Sequence, residues 1–297
     1  MTANFDIIEA KRSGFYLGGG KGSGKTKAAQ LFADALMEAG ITVYVFDNSQ
    51  AWQTGSSIPK HISVSKLPLI LDFPSDQSTI FDMSTLYVEE QKMVVANICK
   101  ALFTRQVSLP KEKRKWIFLI FEEAQIYLQQ GSMRSKSASE VMRLITVGRN
   151  FCIGFGLVTQ YPSTVDKLLI KAIRQRYFGY TDEKNDKDYI ESFLGKKLVE
   201  ELKTMKAGEF MFNCGGITKR VQFPLFISPI VPEKCDCTKQ VQSSTSLTIK
   251  NDEHSDLKTT MTIIFVIAAI IFAVYVFTHT TNRYVQSVAL PLWNLLT

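Results

Sequence analysis

Cysteine is scarce in this chain, and its five cysteines do not follow the spacing of a disulfide framework or a zinc site. They are Cys99, Cys152, Cys214, Cys235 and Cys237. An odd number of thiols without paired C-x-x-C motifs predicts a reducing compartment, with the thiols mostly buried as small apolar side chains. The single C-x-C pair, at 235–237, would need ligands from a second chain to hold a metal ion.

An apolar run is also missing from the N-terminus, where "MTANFDIIEAKRSG" does not fit a secretory signal peptide. The 297 residues are 45% hydrophobic and 21% charged, which argues against wholesale disorder. This length allows one large α/β domain with an appendage. The net charge of +7 mildly favours a polyanionic partner, either nucleic acid or an anionic membrane surface.

Charged residues are absent from the stretch 261–278, "MTIIFVIAAIIFAVYVFT". As a helix this stretch would be about 27 Å long, close to the hydrocarbon thickness of a bilayer. It is apolar all round and follows a polar stretch, so a membrane span is favoured over a buried core helix. Lys239, Lys250 and Lys258 precede it and Arg283 follows it, which predicts that the N-terminal side is cytoplasmic.

These features predict four segments along the chain. They are a cytoplasmic domain, a polar linker, one transmembrane helix and a short exported tail, at residues 1–230, 231–260, 261–278 and 279–297. The tail contains Tyr284 and Trp293, side chains that suit the far membrane interface or a contact with a membrane partner.

A glycine-rich loop at Gly19–Thr26, "GGKGSGKT", satisfies the phosphate-loop pattern G-x-x-x-x-G-K-[ST]. A β-rich run precedes it and an amphipathic helical pattern follows, so a purely structural turn is disfavoured. Lys25 is expected to bridge the β- and γ-phosphates of ATP, and Thr26 to offer its hydroxyl to Mg²⁺. The predicted nucleotide-binding residues are Gly19, Gly20, Lys21, Gly22, Ser23, Gly24, Lys25 and Thr26.

Further apolar runs predict a parallel α/β sheet around this loop. "ITVYVFDNS" reads as a buried strand ending at Asp47, and "STIFDM" as a third strand. "LYVEEQKMVVANICKALFTRQV" has apolar residues at helical spacing and predicts a helix that covers the sheet, with Met93 and Cys99 in the core.

An acidic pair follows the apolar run Trp116–Phe121, which predicts a central strand buried on both faces. In P-loop ATPases the strand beside the phosphate loop ends in acids, the first of which holds Mg²⁺ and the second of which polarises the attacking water. Glu122 and Glu123 are the candidates, although the first acid is normally an aspartate. The alternative is a pair that only caps the next helix.

A third block, "VMRLITVGRNFCIGFGLVTQYPSTVD", predicts a helix ending at Gly148 and a buried strand that ends in Thr159 and Gln160. A polar side chain at the end of a neighbouring strand is well placed to sense the γ-phosphate. Gln160 is therefore the predicted sensor.

Together, "GGKGSGKT", "IFLIFEEA" and "GRNFCIGFGLVTQYPSTVD" resemble the HerA/FtsK superfamily of DNA-pumping ATPases. "TKRVQFPLF" resembles the closing strand of that family, so the resemblance covers residues 13–228. It implies a RecA/FtsK-like P-loop NTPase fold, with a mostly parallel sheet sandwiched by helices. It also implies a ring, usually a hexamer, that hydrolyses ATP between subunits and moves DNA.

The resemblance also implies roles for individual residues. Glu123 would activate water and Gln160 would act as the sensor. Arg149 is a candidate for the arginine that reaches the ATP site of a neighbouring subunit, with a surface ion pair as the alternative. Arg174 and Arg176 compete with Arg149 for that role.

The compact motor resembles viral genome-packaging ATPases, although those generally lack an obvious membrane anchor. A P-loop domain followed by one span and an exported tail is also the layout of the Zot-like filamentous-phage assembly ATPases, whose exported region is longer. Both resemblances imply a virus or mobile element, capsid or membrane assembly proteins as partners, and a viral or host cytoplasmic membrane as the location. A third alternative is a membrane-anchored nucleotide-dependent scaffold that does not bind DNA.

DNA contact is expected from flexible basic loops that grip phosphates rather than bases. The loop predicted at residues 129–140 carries Arg134 and Lys136, the candidate DNA contacts, with a plain surface loop as the alternative. The run "KEKRK" at residues 111–115 is more typical of a solvated connection.

Overall fold

The computed structural model describes residues 5–65, 77–129 and 136–224, which belong to the compact unit Met1–Pro229. The predicted linker, transmembrane helix and tail lie outside the described residues. Within the three described ranges, no helix is long and apolar enough to cross a membrane.

The described ranges form a sheet of nine strands flanked by helices, in the order β3-β4-β2-β5-β6-β1-β7-β8-β9. The strands β1 to β7 run parallel, and β8 and β9 add an antiparallel edge. The strand bounds are β1 Phe15–Gly18, β2 Thr42–Asp47, β3 Lys60–Ser63, β4 Thr79–Asp82, β5 Ile117–Phe121, β6 Ile153–Thr159, β7 Gln175–Phe178, β8 Glu209–Cys214 and β9 Ile217–Gln222.

Seven α-helices belong to the described part of the chain, together with short 3-10 turns. Their bounds are α1 Ile7–Ser13, α2 Lys25–Glu38, α3 Val88–Ser108, α4 Lys136–Val147, α5 Lys167–Ala172, α6 Lys184–Leu194 and α7 Lys196–Glu201. This mixed α/β architecture with a mostly parallel sheet fits the predicted P-loop NTPase fold.

Two hydrophobic cores form on the two faces of the sheet, because successive strand residues point to opposite sides. In β1, Phe15 and Leu17 pack with α2, whereas Tyr16 packs with α3, α4 and α6. Every residue of β1, β2, β5 and β6 is buried. The continuous apolar runs in the sequence therefore indicate central strands that are buried on both faces of the sheet.

The strand order corrects one expectation. The acidic strand β5 is not beside the phosphate-loop strand β1, because β6 pairs with both and lies between them. Local sequence patterns identify buried strands but carry no information on which strands become neighbours. Gln160, at the end of β6, consequently lies between the phosphate loop and Glu123.

Other expectations are also corrected. Met93 is 53% exposed, since it precedes the buried positions Val94 and Val95 and falls off the apolar face of α3. Cys99 is buried as predicted, but Cys152 and Cys214 are only half-buried.

Candidate nucleotide site

The phosphate loop connects the end of β1 to the start of α2. Gly24 immediately precedes α2 with φ 91°, a left-handed conformation that disfavours side chains with a Cβ. At Gly19, which also has positive φ, a Cβ would come within 3.1 Å of the Gly179 backbone. No side chain caps α2, so its first N–H groups are available to bind an anion.

Neighbouring segments hold the loop in place through its backbone. The N–H of Gly19 donates to the Thr159 carbonyl at 3.3 Å, and the N–H of Gly20 donates to the Tyr180 carbonyl at 2.6 Å. The carbonyl of Ser23 accepts from Gly208 N–H at 2.9 Å. The loop is therefore fixed by contacts from the ends of β6 and β7 and from the turn before β8.

A cavity of about 330 Å³ opens over this loop, within the size range of small-molecule sites. Its lining residues are Lys21, Gly22, Gly24, Lys25, Thr26, Lys27, Ser49, Ala51, Glu122, Glu123, Gln160 and Ala207. The Lys25 ammonium donates to the Gly20 carbonyl at 3.0 Å. Burial lowers the pKa of Lys25, and the nearby carboxylates of Glu123 and Glu122 oppose that change.

Glu122 lies at the buried end of the cavity. Its Oε1 accepts from the Thr26 hydroxyl at 2.8 Å, and its Oε2 accepts from the Trp52 indole N–H at 3.2 Å. Burial raises the pKa of Glu122 to about 7, although both hydrogen bonds act in the opposite direction.

The donor set at this end of the cavity fits Mg²⁺. The Thr26 hydroxyl and the Glu122 carboxylate are adjacent hard oxygen donors, the ligand type that Mg²⁺ prefers. Within the described ranges no cluster of three His, Cys, Asp or Glu side chains forms a self-sufficient metal site. A metal ion held here would therefore also need water and substrate oxygens, as is usual for Mg²⁺ at phosphates.

Glu123 faces the cavity between two glutamine amides. Its backbone has φ 49°, an uncommon value for a residue with a Cβ and a conformation concentrated at functional sites. The Gln160 amide donates to Oε1 of Glu123, and the Gln125 amide donates to Oε2 at 2.7 Å. Thr159 in turn donates to Gln125 Oε1 at 2.6 Å, which joins the ends of β5 and β6.

No protein-family model matches the chain. Sequence relatives include a probable helicase, MJECL08, of Methanocaldococcus jannaschii, 21% identical over 150 residues that cover 47% of this chain. The DNA double-strand break repair helicase HerA of Pyrococcus furiosus is 23% identical over 163 residues, 44% of this chain. In both cases the match spans 29% of the relative's length.

Among solved structures, the genome packaging NTPase B204 of Sulfolobus turreted icosahedral virus 2, in complex with AMPPCP, has the same fold. It aligns with a TM-score of 0.51 at 19% identity, covering 71% of this chain and 97% of B204. These matches support a HerA/FtsK-like P-loop ATPase fold for the chain. At this level of identity, the similarity to B204 is a similarity of fold.

Arg149 lies far from the cavity of its own chain. It is exposed, in the 3-10 turn Gly148–Phe151 that precedes β6. The phosphate loop lies beyond the other end of β6, where Thr159 pairs with Gly18. The length of β6 separates these two ends by about 20 Å. The predicted role of Arg149 therefore requires a neighbouring subunit.

Arg174 and Arg176 lie at the same edge of the sheet as Arg149, and both contact their own chain. Arg174 forms a 3.8 Å ion pair with Glu9. Arg176 donates to Asn213 Oδ1 at 3.1 Å and to the Ile170 carbonyl at 3.3 Å. These contacts give both arginines structural partners within the subunit.

The predicted DNA-contact loop is only partly described. Arg134 lies outside the described residues, whereas Lys136 begins α4, so residues 136–140 are helical rather than part of a loop. Gln129 forms an isolated bridge with Val165. The expected loop at 129–140 is therefore too long at both ends.

Trp52 and Gln125 are the main site residues that the sequence did not reveal. The buried carboxylate of Asp47, at the end of β2, accepts from the N–H groups of Ser49 and Trp52, both at 3.0 Å. This turn directs the Trp52 indole at Glu122. An available signal was an acid at a strand end followed closely by a tryptophan, in "VFDNSQAW".

Proposed function

We propose that this chain hydrolyses ATP in the cavity above its phosphate loop. The observation that carries the proposal is the meeting of Lys25, Thr26, Glu122, Glu123 and Gln160 around one cavity. These side chains come from α2 and from the ends of β5 and β6, the carboxyl edge where open α/β sheets bind their ligands.

In the proposed reaction, a water oxygen attacks the γ-phosphorus as the bond to the ADP oxygen breaks. Glu123 orients that water and accepts its proton. Lys25 binds the β- and γ-phosphate oxygens, and Gln160 senses the γ-phosphate. When bound by Thr26 and Glu122, Mg²⁺ would supply charge neutralisation at the phosphates.

We further propose that hydrolysis drives DNA translocation, for packaging or export of a viral or mobile-element genome. The name of HerA as a DNA repair helicase and that of B204 as a genome packaging NTPase support this proposal. The net charge of +7 agrees with a polyanionic partner. The match spans 29% of HerA, so this support comes from the resemblance of the matched part.

The proposed assembly is a ring, hexameric by family resemblance, anchored in a membrane. The position of Arg149, remote from the cavity of its own chain, supports sites completed by a neighbouring subunit. The charge-free stretch 261–278 supports a membrane anchor and also favours the second candidate, a Zot-like assembly ATPase. Capsid or membrane assembly proteins would then be its partners.

ATPase turnover of the full chain, with and without DNA, tests these proposals. Wild type should hydrolyse ATP faster with DNA, and Lys25→Ala should abolish turnover while leaving the fold intact. Retained turnover in Lys25→Ala would exclude the proposed site. Turnover that DNA does not stimulate would favour the scaffold alternative. Recovery of the protein from virions or from host membranes would separate packaging from extrusion.

A further inference from the structure

Positive charge is concentrated in two short stretches of the chain. Residues 100–115 and 143–150 together contain eight Lys or Arg and one Glu, a net charge of +7 that equals the net charge of the whole chain. The positive and negative charges of the remaining residues therefore cancel. A local excess of positive charge indicates a polyanion-binding surface when the charged residues share one face.

The fold brings the two stretches together. The Arg114 side chain donates from Nε to the Leu109 carbonyl at 3.0 Å and from a terminal nitrogen to the Asn150 carbonyl at 3.4 Å. Its guanidinium also lies 5.0 Å from the Phe151 ring centroid. Arg114 thus connects the run "KEKRK" to the turn that contains Arg149.

Further contacts hold the same surface together. The Arg143 guanidinium of α4 lies 4.0 Å from the ring centroid of Phe103 in α3. The Gln106 amide donates to the Lys115 carbonyl at 2.8 Å. The run itself forms the 3-10 turn Lys111–Lys113, with both lysines exposed. Contacts with neighbouring segments order the backbone of this turn. A plain solvated connection does not need such contacts.

We define this surface as the basic face, comprising Lys111, Lys113, Arg114, Lys115, Arg143 and Arg149. It lies at the amino edge of the sheet, since residue 115 precedes β5 and Arg149 precedes β6. The ATP cavity lies at the carboxyl edge, about 20 Å away across the strands. Charge changes at Lys111, Lys113 and Lys115 therefore leave the residues of the cavity in the same chain untouched.

We infer that the basic face binds the phosphate backbone of DNA without reading sequence, an inference that rests on the proposed DNA-translocating function. Exposed lysines and fixed guanidinium groups are the donors that contact phosphate. A membrane surface would pair such cations with exposed aromatic side chains. Here Phe103 is buried, and Phe151 and Trp116 are only half-exposed, with cations packed over all three rings. DNA is therefore favoured over lipid.

The test uses the full chain in nanodiscs of zwitterionic lipid and a labelled random-sequence DNA duplex. The variant Lys111→Gln/Lys113→Gln/Lys115→Gln is compared with Lys184→Gln/Lys196→Gln/Lys197→Gln, which removes the same charge from exposed lysines on α6 and α7. At low salt, DNA affinity should fall on the order of 100-fold in the first variant, and the slope of log K against log salt should lessen by about three. DNA-free ATPase turnover should equal wild type in both.

Three results would overturn the inference. If wild type binds DNA and both triple variants bind it equally well, the basic face does not contact DNA, although the proposed function survives. If wild type neither binds DNA nor responds to it, the inference and the proposed function both fail. If the first variant keeps DNA affinity but no longer cosediments with anionic vesicles, the basic face binds lipid.

Discussion

The indole N–H of Trp52 donates to Oε2 of Glu122, while Oε1 of the same carboxylate accepts from Thr26. Trp52 is fully buried, and the Asp47 carboxylate holds its backbone N–H. The usual aspartate at this position is replaced by a glutamate with one more rotatable bond. The indole therefore limits the orientations of the longer side chain and keeps Oε1 beside the Thr26 hydroxyl, the other proposed metal ligand.

Replacing Trp52 with phenylalanine should weaken the response to Mg²⁺. The change keeps an aromatic ring but removes the indole donor, so one oxygen of a buried carboxylate loses its partner, at a cost of about 1–3 kcal/mol. The Mg²⁺ concentration for half-maximal ATPase turnover should rise by about fivefold or more. Trp116→Phe, at the amino edge, is the matched control and should leave that concentration unchanged. Equal Mg²⁺ responses in both variants would show that the indole does not position Glu122.

The pKa of Glu122 predicts how the stability of the nucleotide-free protein depends on pH. Burial raises this pKa from the ordinary 4.5 to about 7, so the folded state retains the proton more strongly than the unfolded state. The resulting stabilisation is complete below pH 4.5 and is lost as pH rises through about 7. The free energy of unfolding should therefore drop by about 3 kcal/mol over this window.

Denaturant unfolding of the full chain in detergent, at intervals across that window, measures this change. Glu122→Gln carries no titrating proton and should lack this component of the pH dependence. The same pH dependence in Glu122→Gln and wild type would assign the effect to other groups.

Sequence patterns predicted the strands of the site better than its contacts. Strands β1, β2, β5 and β6 were recognisable because strands buried on both faces are continuous apolar runs. Strand β3, only four residues with alternating burial, gives no such signal. The neighbours of β1 and the partners of Glu122 and Glu123 depend on contacts between distant segments, which local periodicity does not encode.

The two glutamines that contact Glu123 should differ in their effects on catalysis. Gln125 lies behind the carboxylate and is tied to Thr159, so Gln125→Ala should reduce kcat by about tenfold or more through misplacement of the base, with KM for ATP unchanged. Gln160→Ala removes a residue that lines the cavity and should also abolish the DNA stimulation of turnover.

Gln53→Ala provides the control, because Gln53 donates to Asp82 and is not among the cavity-lining residues. Steady-state kinetics with nucleotide binding measured separately would distinguish these effects. Wild-type kcat in Gln125→Ala would exclude a positioning role for that amide.

Arg149 should act only in trans, because about 20 Å of sheet separates it from the cavity of its own chain. Arg149→Ala should bind ATP normally but lose hydrolysis, as should Glu123→Gln. Mixing the two variants before ring assembly should restore turnover, since some interfaces then combine an intact Glu123 with an intact Arg149 from the neighbour. Arg174→Ala, which removes the ion pair with Glu9, serves as the control and should retain turnover. If the mixture shows no rescue, Arg149 does not act at the ATP site of a neighbouring subunit and belongs to the basic face alone.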